Sequence, residues 1–281
     1  MKDTLTLRFL YRTCVGRMIL KVLVHPWVSK VGGKILSSKL SAKYIPHFIK
    51  KNDIDMDKVI VPEGGFASFN DFFTRKQETE AIDVPYGTLI SPCDGFLTPR
   101  KIKKDSTFAI KGSRYSMNDL LQNDELARKF EDGVALIFRL TPTHYHRYSY
   151  PADGHIHGSK RIDGELHCVR PIALRTLPVF VRNSREYQVI ETEEFGIVVQ
   201  MEVGALMVGK ISNHKGPMIR GDVKAGEEKG YFEFGGSTII LFLQKDAIRL
   251  SRKFYSKSHE EIPVKLGQAL GKTNKIVMTT K

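Results

Sequence analysis

From Gly133 to Gln244 the chain is a succession of short β-rich runs punctuated by glycines: VALIFRLT (134–141), HIHGSKRI (155–162), YQVIETEE (187–194), GIVVQMEVGALMVGKI (196–211), YFEFGG (231–236) and STIILFLQ (237–244). Runs of this kind, separated by turn residues, predict a predominantly antiparallel β domain. Before them, FASFNDFFTRK (66–76) reads as a short helix with an aromatic face, and residues 112–131 as another helix around Met117 to Phe130. The expected fold class is therefore α+β, with N-terminal amphipathic helices followed by a β-rich core.

The N-terminus has a different character. Leu10, Cys14, Val15, Met18, Ile19 and Val22 recur at helical spacing between Leu7 and Val24, flanked by Arg8, Arg12, Arg17 and Lys21. His25-Pro26 ends that stretch, and a second runs from Trp27 to about Ile49 with Lys30, Lys34, Lys39 and Lys43 on its polar side. Residues 1–52 hold eleven Lys and Arg against the single Asp3, so they carry +10 of the chain's formal +13. Basic amphipathic helices of this plan suit an anionic membrane surface, or else pack on the protein's own core. No nucleic-acid-reading motif accompanies the charge, so no nucleic-acid partner is expected. Neither a signal peptide nor an apolar run of bilayer-spanning length is evident, which predicts a peripheral protein at the cytoplasmic face of the cell membrane. The expected division is a membrane-associating segment, 1–52, and a catalytic domain, 53–281. Cys14, Cys93 and Cys168 form no CxxC pair, which speaks against a disulfide framework or a cysteine metal site.

Within Lys229 to Leu243, Gly235-Gly236-Ser237-Thr238 interrupts an apolar β pattern. Two glycines permit sterically open backbone just before a hydroxyl nucleophile. There the Ser237 oxygen could attack the Gly236 carbonyl, converting the amide to an ester; β-elimination would leave dehydroalanine, which hydrolyses to a pyruvoyl group. Taken alone, GGST reads far more readily as a glycine bulge in a strand.

Together with FNDFFTRK (69–76), SPCDG (91–95), LTPTHYHRY (140–148), EFGIVVQMEVGALMVGKI (194–211) and KGYFEFGGST (229–238), in that order along the chain, the segment resembles the phosphatidylserine decarboxylase family. The resemblance implies a proenzyme that cuts its own Gly236-Ser237 bond. A β chain of 1–236 and an α chain of 237–281 would then stay together as a heterodimer, further dimerisation being left open. It also implies a covalent pyruvoyl cofactor made from Ser237, whose carbonyl condenses with the substrate amine and delocalises the Cα carbanion, with no metal and no pyridoxal phosphate. The substrate would be phosphatidylserine in an anionic membrane, converted to phosphatidylethanolamine and carbon dioxide.

By the same resemblance Asp94 matches the aspartate that supports self-processing, and His146 the histidine associated with decarboxylation. The family's motif commonly reads YHR-x-H, with a second histidine as the processing base. This chain has Ser149 there. His144, two residues from His146 and on the same face of an extended strand, and His167 in GELHCV are the candidate replacements. Three other readings stay open: a pyruvoyl decarboxylase of a soluble amino acid, a serine hydrolase, although no GxSxG elbow is present, and a non-catalytic lipid-binding relic.

Overall fold

The computed structural model describes residues 5–78, 82–110, 113–206, 210–216, 219–235, 237–255 and 261–275. The strands, in chain order, begin with β1 (Val59–Ile60), β2 (Lys76–Gln77), β3 (Thr88–Ile90), β4 (Gly95–Lys101), β5 (Thr107–Ile110) and β6 (Ser113–Ser116). They continue with β7 (Val134–Leu140), β8 (Arg147–Ser149), β9 (Gly154–Ile162), β10 (Arg185–Thr192), β11 (Gly196–Val203) and β12 (Ile211–Asn213). The last are β13 (Gly221–Val223), β14 (Glu228–Phe232), β15 (Ser237–Leu243), β16 (Ile248–Leu250), β17 (Ile262–Val264) and β18 (Ala269–Thr273). Each run read as a strand from sequence contributes one, and the α+β class holds.

The main sheet has eight strands in the order β13-β9-β10-β11-β15-β7-β4-β17, every neighbouring pair antiparallel. Its central strand β15, STIILFL, is buried along its whole length, which explains why it reads as a continuous apolar run rather than an alternating one. A smaller antiparallel sheet, β12-β14-β8, covers one face of β10 and β11. Polar contacts help join the layers: Tyr150 Oη donates to Gln188 Oε1 at 3.1 Å, and Gln200 Nε2 to the Ser149 carbonyl at 3.2 Å.

Two helices form where the sequence suggested one over Leu7–Val24: α1 (Leu5–Arg12) and α2 (Cys14–Leu23). Thr13 ends the first and caps the second, its hydroxyl accepting from Gly16 N at 2.9 Å. Gly16 is required at the crossing, because a Cβ there would lie 2.1 Å from the Phe9 carbonyl oxygen. The second basic stretch becomes α3 (Pro26–Leu36), a 3₁₀ segment (Lys39–Tyr44) and α4 (Ile45–Asn52). Of the helix expected over 112–131, residue 112 lies outside the described residues, Ser113–Ser116 is strand β6 instead, and the rest divides into α6 (Met117–Leu121) and α7 (Asp124–Arg128), separated by Gln122 in a left-handed conformation.

Leu10, Tyr11, Leu20 and Val24 join the main core. Ile45 and Phe48 make a second cluster with Phe69, Phe72 and Phe73 of α5 (Phe69–Phe73), the aromatic helix expected from FASFNDFF. The exposed residues of α2 are instructive: Val15, Met18, Ile19 and Val22 lie at helical spacing, yet they point outward and only Gly16 and Leu20 are buried. The apolar stripe of this helix is therefore not spent on the core.

Candidate active site

Ser237 is the first residue of β15 and opposes Leu140, the last residue of β7. On the other side of β7, Phe96 opposes Arg139, so the strand ends carrying Gly95, Leu140 and Ser237 lie side by side and Asp94 sits just beyond them. Two strand spacings separate the Gly95 and Ser237 backbones, roughly 10 Å. Pairing of Glu202 with Ile239 puts Ser237 on the same sheet face as Gln200 and Glu202, the face covered by β8 and β14. Ser237 is fully buried, and its Oγ has no hydrogen-bond partner. A buried hydroxyl left unpaired is costly, and this one stands two residues after a buried glycine of positive φ (Gly235, 145°). Gly236 lies outside the described residues.

The small sheet brings in the imidazole. His146 directly precedes β8, and its carbonyl accepts from Phe232 N at 3.0 Å, which ties it to the end of β14 three residues before Gly235. Phe73 of α5 stacks on its ring at 4.0 Å, while Phe234 packs on Phe73 at 4.9 Å. The His146 Nδ1 faces the His144 carbonyl at 2.8 Å, so Nδ1 carries the proton of the neutral ring. Nε2 is then a bare lone pair, buried and without a partner. Burial pushes this imidazole down to about pKa 3, the His144 and Gly235 backbones opposing and the Arg75 charge assisting.

Asp94 is held at the end of β4 by Leu266 N to Oδ1 and by Lys265 Nζ to Oδ2, both at 2.9 Å. His144 is edge-on to Phe96 at 5.2 Å, near enough to Asp94 to feel its charge. The strand expected over 144–146 does not form: Thr141 to His144 is a turn closed by His144 N to the Thr141 carbonyl, and β8 starts only at Arg147. His144 Nδ1 accepts from Thr141 N at 3.0 Å, which places the ring's proton on Nε2. Burial lowers its pKa, against the opposing pull of Asp94. His167 belongs to another neighbourhood. Its Nε2 pairs with Glu165 at 2.9 Å and its Nδ1 with the Tyr11 hydroxyl of α1 at 3.3 Å, so both ring nitrogens are engaged. Ser149, where the family's second histidine would stand, is buried with an unpaired Oγ, its N donating to the Pro92 carbonyl of the Asp94 loop at 2.8 Å.

Beneath the site lies a feature that sequence reasoning passed over. Glu202 and Lys229, both fully buried, pair at 2.6 Å. Asn213 Oδ1 accepts from Lys229 Nζ at 3.0 Å and from the Tyr148 hydroxyl at 3.1 Å, which joins β11, β12, β14 and β8. Burial pushes the Glu202 carboxyl up, with Lys229 pulling it back. The polar letters at alternate positions of VVQMEV, Gln200 and Glu202, were the available signal. Lys229→Met leaves a buried carboxylate unpaired and is expected to cost about 3–5 kcal/mol. Urea unfolding measures it, and Lys229→Met combined with Glu202→Leu should recover most of the loss.

Among the described residues no group of three or more His, Cys, Asp and Glu side chains is arranged to hold a metal ion, and no helix is long and apolar enough to cross a membrane. The site's motifs fall within residues 69–272, the span that matches the family model described as phosphatidylserine decarboxylase. Phosphatidylserine decarboxylase proenzyme 2 of Clostridium acetobutylicum is 41% identical over 95% of this chain and 92% of its own length. The phosphatidylserine decarboxylase proenzymes of Clostridium botulinum (strain Alaska E43) and Fusobacterium nucleatum are 38% and 36% identical, over 94% and 92% of this chain and 91% and 88% of their own lengths. With the order of motifs, the span of the match and the level of identity in agreement, the chain belongs to the phosphatidylserine decarboxylase family.

Proposed function

We propose that this chain is a proenzyme that cleaves itself before Ser237 and then decarboxylates phosphatidylserine to phosphatidylethanolamine at a membrane surface. The observation that carries the reading is the pair of orphaned buried atoms, Ser237 Oγ and His146 Nε2, on the strand and loop that flank Gly235. A hydroxyl nucleophile and a bare imidazole nitrogen, both desolvated, are what an N-to-O acyl shift requires.

In this reading His146 Nε2 takes the Ser237 proton as Oγ attacks the preceding carbonyl, and Nδ1–H held on the His144 carbonyl keeps the ring in the receptive tautomer. Asp94, clamped by Lys265 and Leu266, biases His144 and through it the loop that supports His146. The residues present fit a pyruvoyl group at position 237, since Ser237 and His146 are both fully buried and the Phe73 ring lies against the imidazole. That group supplies the electron sink for loss of carbon dioxide from an α-amino acid. After decarboxylation the same His146 is placed to control the proton that replaces the carboxylate, with water excluded by Phe73 and Phe234. Intact-mass measurement of the purified protein, together with release of carbon dioxide from phosphatidylserine vesicles, tests both halves. One full-length mass and no release would refute the reading.

Membrane contact is proposed through residues 1–52. Leu5, Val15, Met18, Val22, Trp27 and Ile35 are all more than half exposed, an apolar surface interspersed with Arg8, Arg12, Arg17, Lys21 and Lys30. Deleting the segment would also strip Leu10, Tyr11 and Leu20 from the core, so point substitutions are the cleaner test. Met18→Glu, Val22→Glu and Trp27→Glu are each expected to weaken binding to anionic vesicles by about tenfold or more, from loss of about 1.5–3 kcal/mol of side-chain burial. Wild-type binding should also fall as salt rises. Vesicle co-sedimentation of the three variants at wild-type level would mean that this surface faces something else.

A further inference from the structure

Arg75 is the charged group near the site that the mechanism above does not use. It follows α5 by two residues and is only 4% exposed, yet its Nε and Nη1 have no hydrogen-bond partner. Its guanidinium carbon lies 5.0 Å from the centre of the Phe72 ring. Among the described residues Arg75 has no ion-pair partner, Asp94 acting on it only through its charge, and a buried guanidinium so placed is expensive, which leaves Nε and Nη1 ready for a charge that arrives from outside. The location is specific. Phe73, two residues earlier, stacks on His146, and the Thr74 and Arg75 carbonyls accept from Arg147 Nε at 2.8 and 3.3 Å, tying this turn to the strand after His146. The Arg75 charge is felt at His146, and Asp94 and Tyr145 are felt at Arg75. Next to Arg75 along the chain, Lys76 lines a cleft of about 270 Å³ together with Tyr145, Arg147, Ser149, Glu228 and Leu266; Arg75 itself is not part of that lining, Arg147 pairs with Glu228, and Leu266 is the residue whose N–H holds Asp94.

We propose that Arg75 anchors the phosphodiester of the lipid headgroup, which enters by this cleft and places the amino-acid carbon between His146 and residue 237. The inference rests on the functional reading above and adds the group that recognises the substrate. The phosphodiester is favoured over the carboxylate by what happens to each charge. The carboxylate surrenders its charge on becoming carbon dioxide, so a guanidinium paired with it would stabilise the ground state more than the transition state. The phosphodiester keeps its charge throughout and is joined to Cα through only Cβ and one oxygen, so a tether there holds the reacting carbon without resisting the reaction. The planar fork of Arg suits two phosphate oxygens at once, which Lys cannot match.

The test uses the full chain with Arg75→Gln and Arg75→Lys, and three measurements: the fraction processed, kcat and KM for phosphatidylserine in mixed micelles, and calorimetric binding of glycerophosphoethanolamine. Both variants are expected to process normally. In Arg75→Gln, KM should rise and probe affinity fall by roughly 10- to 100-fold with kcat within a few-fold of wild type; Arg75→Lys should lie between. Unchanged probe affinity in Arg75→Gln, or no binding of the probe by the wild type, overturns the proposal. So does a folded Arg75→Lys that stays uncut, because the charge would then serve cleavage. If the wild type failed to decarboxylate phosphatidylserine, the functional reading would fall while the binding measurement still decided the role of Arg75.

Discussion

Ser237→Ala is expected to give a single full-length chain with decarboxylase activity lower by at least roughly 10³-fold, the scale on which removing a nucleophile acts. Alanine keeps the β15 backbone and its pairing with Leu140 and removes only an oxygen that has no partner in the fold. Replacing an unpaired buried hydroxyl with a methyl should leave stability equal or slightly higher, so loss of function could not be blamed on misfolding. A denaturing gel and a thermal melt make the two comparisons. Two chains from this variant would remove Ser237 from the chemistry altogether.

The second large effect is expected at His146. His146→Ala should slow self-cleavage by about 10²–10⁴-fold, the usual contribution of a positioned general base. His144→Ala and Asp94→Asn should slow it less, and His167→Ala least, since the Glu165 and Tyr11 contacts occupy both nitrogens of that ring. The pH dependence supplies an independent check with a definite sign. A histidine of ordinary pKa near 6.5 would make cleavage rise through that value, because only the neutral ring accepts a proton. Burial has already driven His146 down to about 3, so its Nε2 is bare across the neutral range. The cleavage rate should therefore stay flat from pH 8 to pH 5 and fall only as pH approaches 3. A sigmoidal rise at pH above 5, centred below 6.5 because burial lowers the His144 pKa, and lost in His144→Ala, would transfer the role to His144.

Much of this was legible from the chain alone. Gly-punctuated apolar runs specify strands because strand formation is dictated by local alternation and turn chemistry, and the runs from VALIFRLT to STIILFLQ became β7, β9, β10, β11, β14 and β15. The helix boundaries were less legible. Nothing in the spacing of Leu10, Cys14 and Met18 shows that Thr13 prefers to cap a new helix over continuing the old one, a choice settled by the close approach of Phe9 to Gly16. Nor does a helical apolar period say which way it faces; Leu20 turns inward and Met18 outward because of what packs against α2.

The family motifs identified Asp94, His146 and Ser237 as residue types suited to the chemistry, and local sequence carries that much because each is embedded in its own short signature. Which imidazole has a nitrogen to offer is a property of partners far away in the chain or of one turn's geometry. His167 is engaged by Tyr11 from 156 residues away, His144 by the Thr141 amide, and His146 alone of the three keeps a bare Nε2. The same holds for Arg75 and for Glu202 with Lys229: a charged letter in a sequence is by default a solvated one, and only the closing of β8 and β14 over the main sheet buries the Glu202–Lys229 pair. Sequence by itself determined the strands, the candidate nucleophile and the family, because these depend on residue identity and near neighbours. Tertiary structure decided tautomers, orphaned atoms and buried charge, because desolvation is set by everything that packs around a group and belongs to no single stretch of the chain.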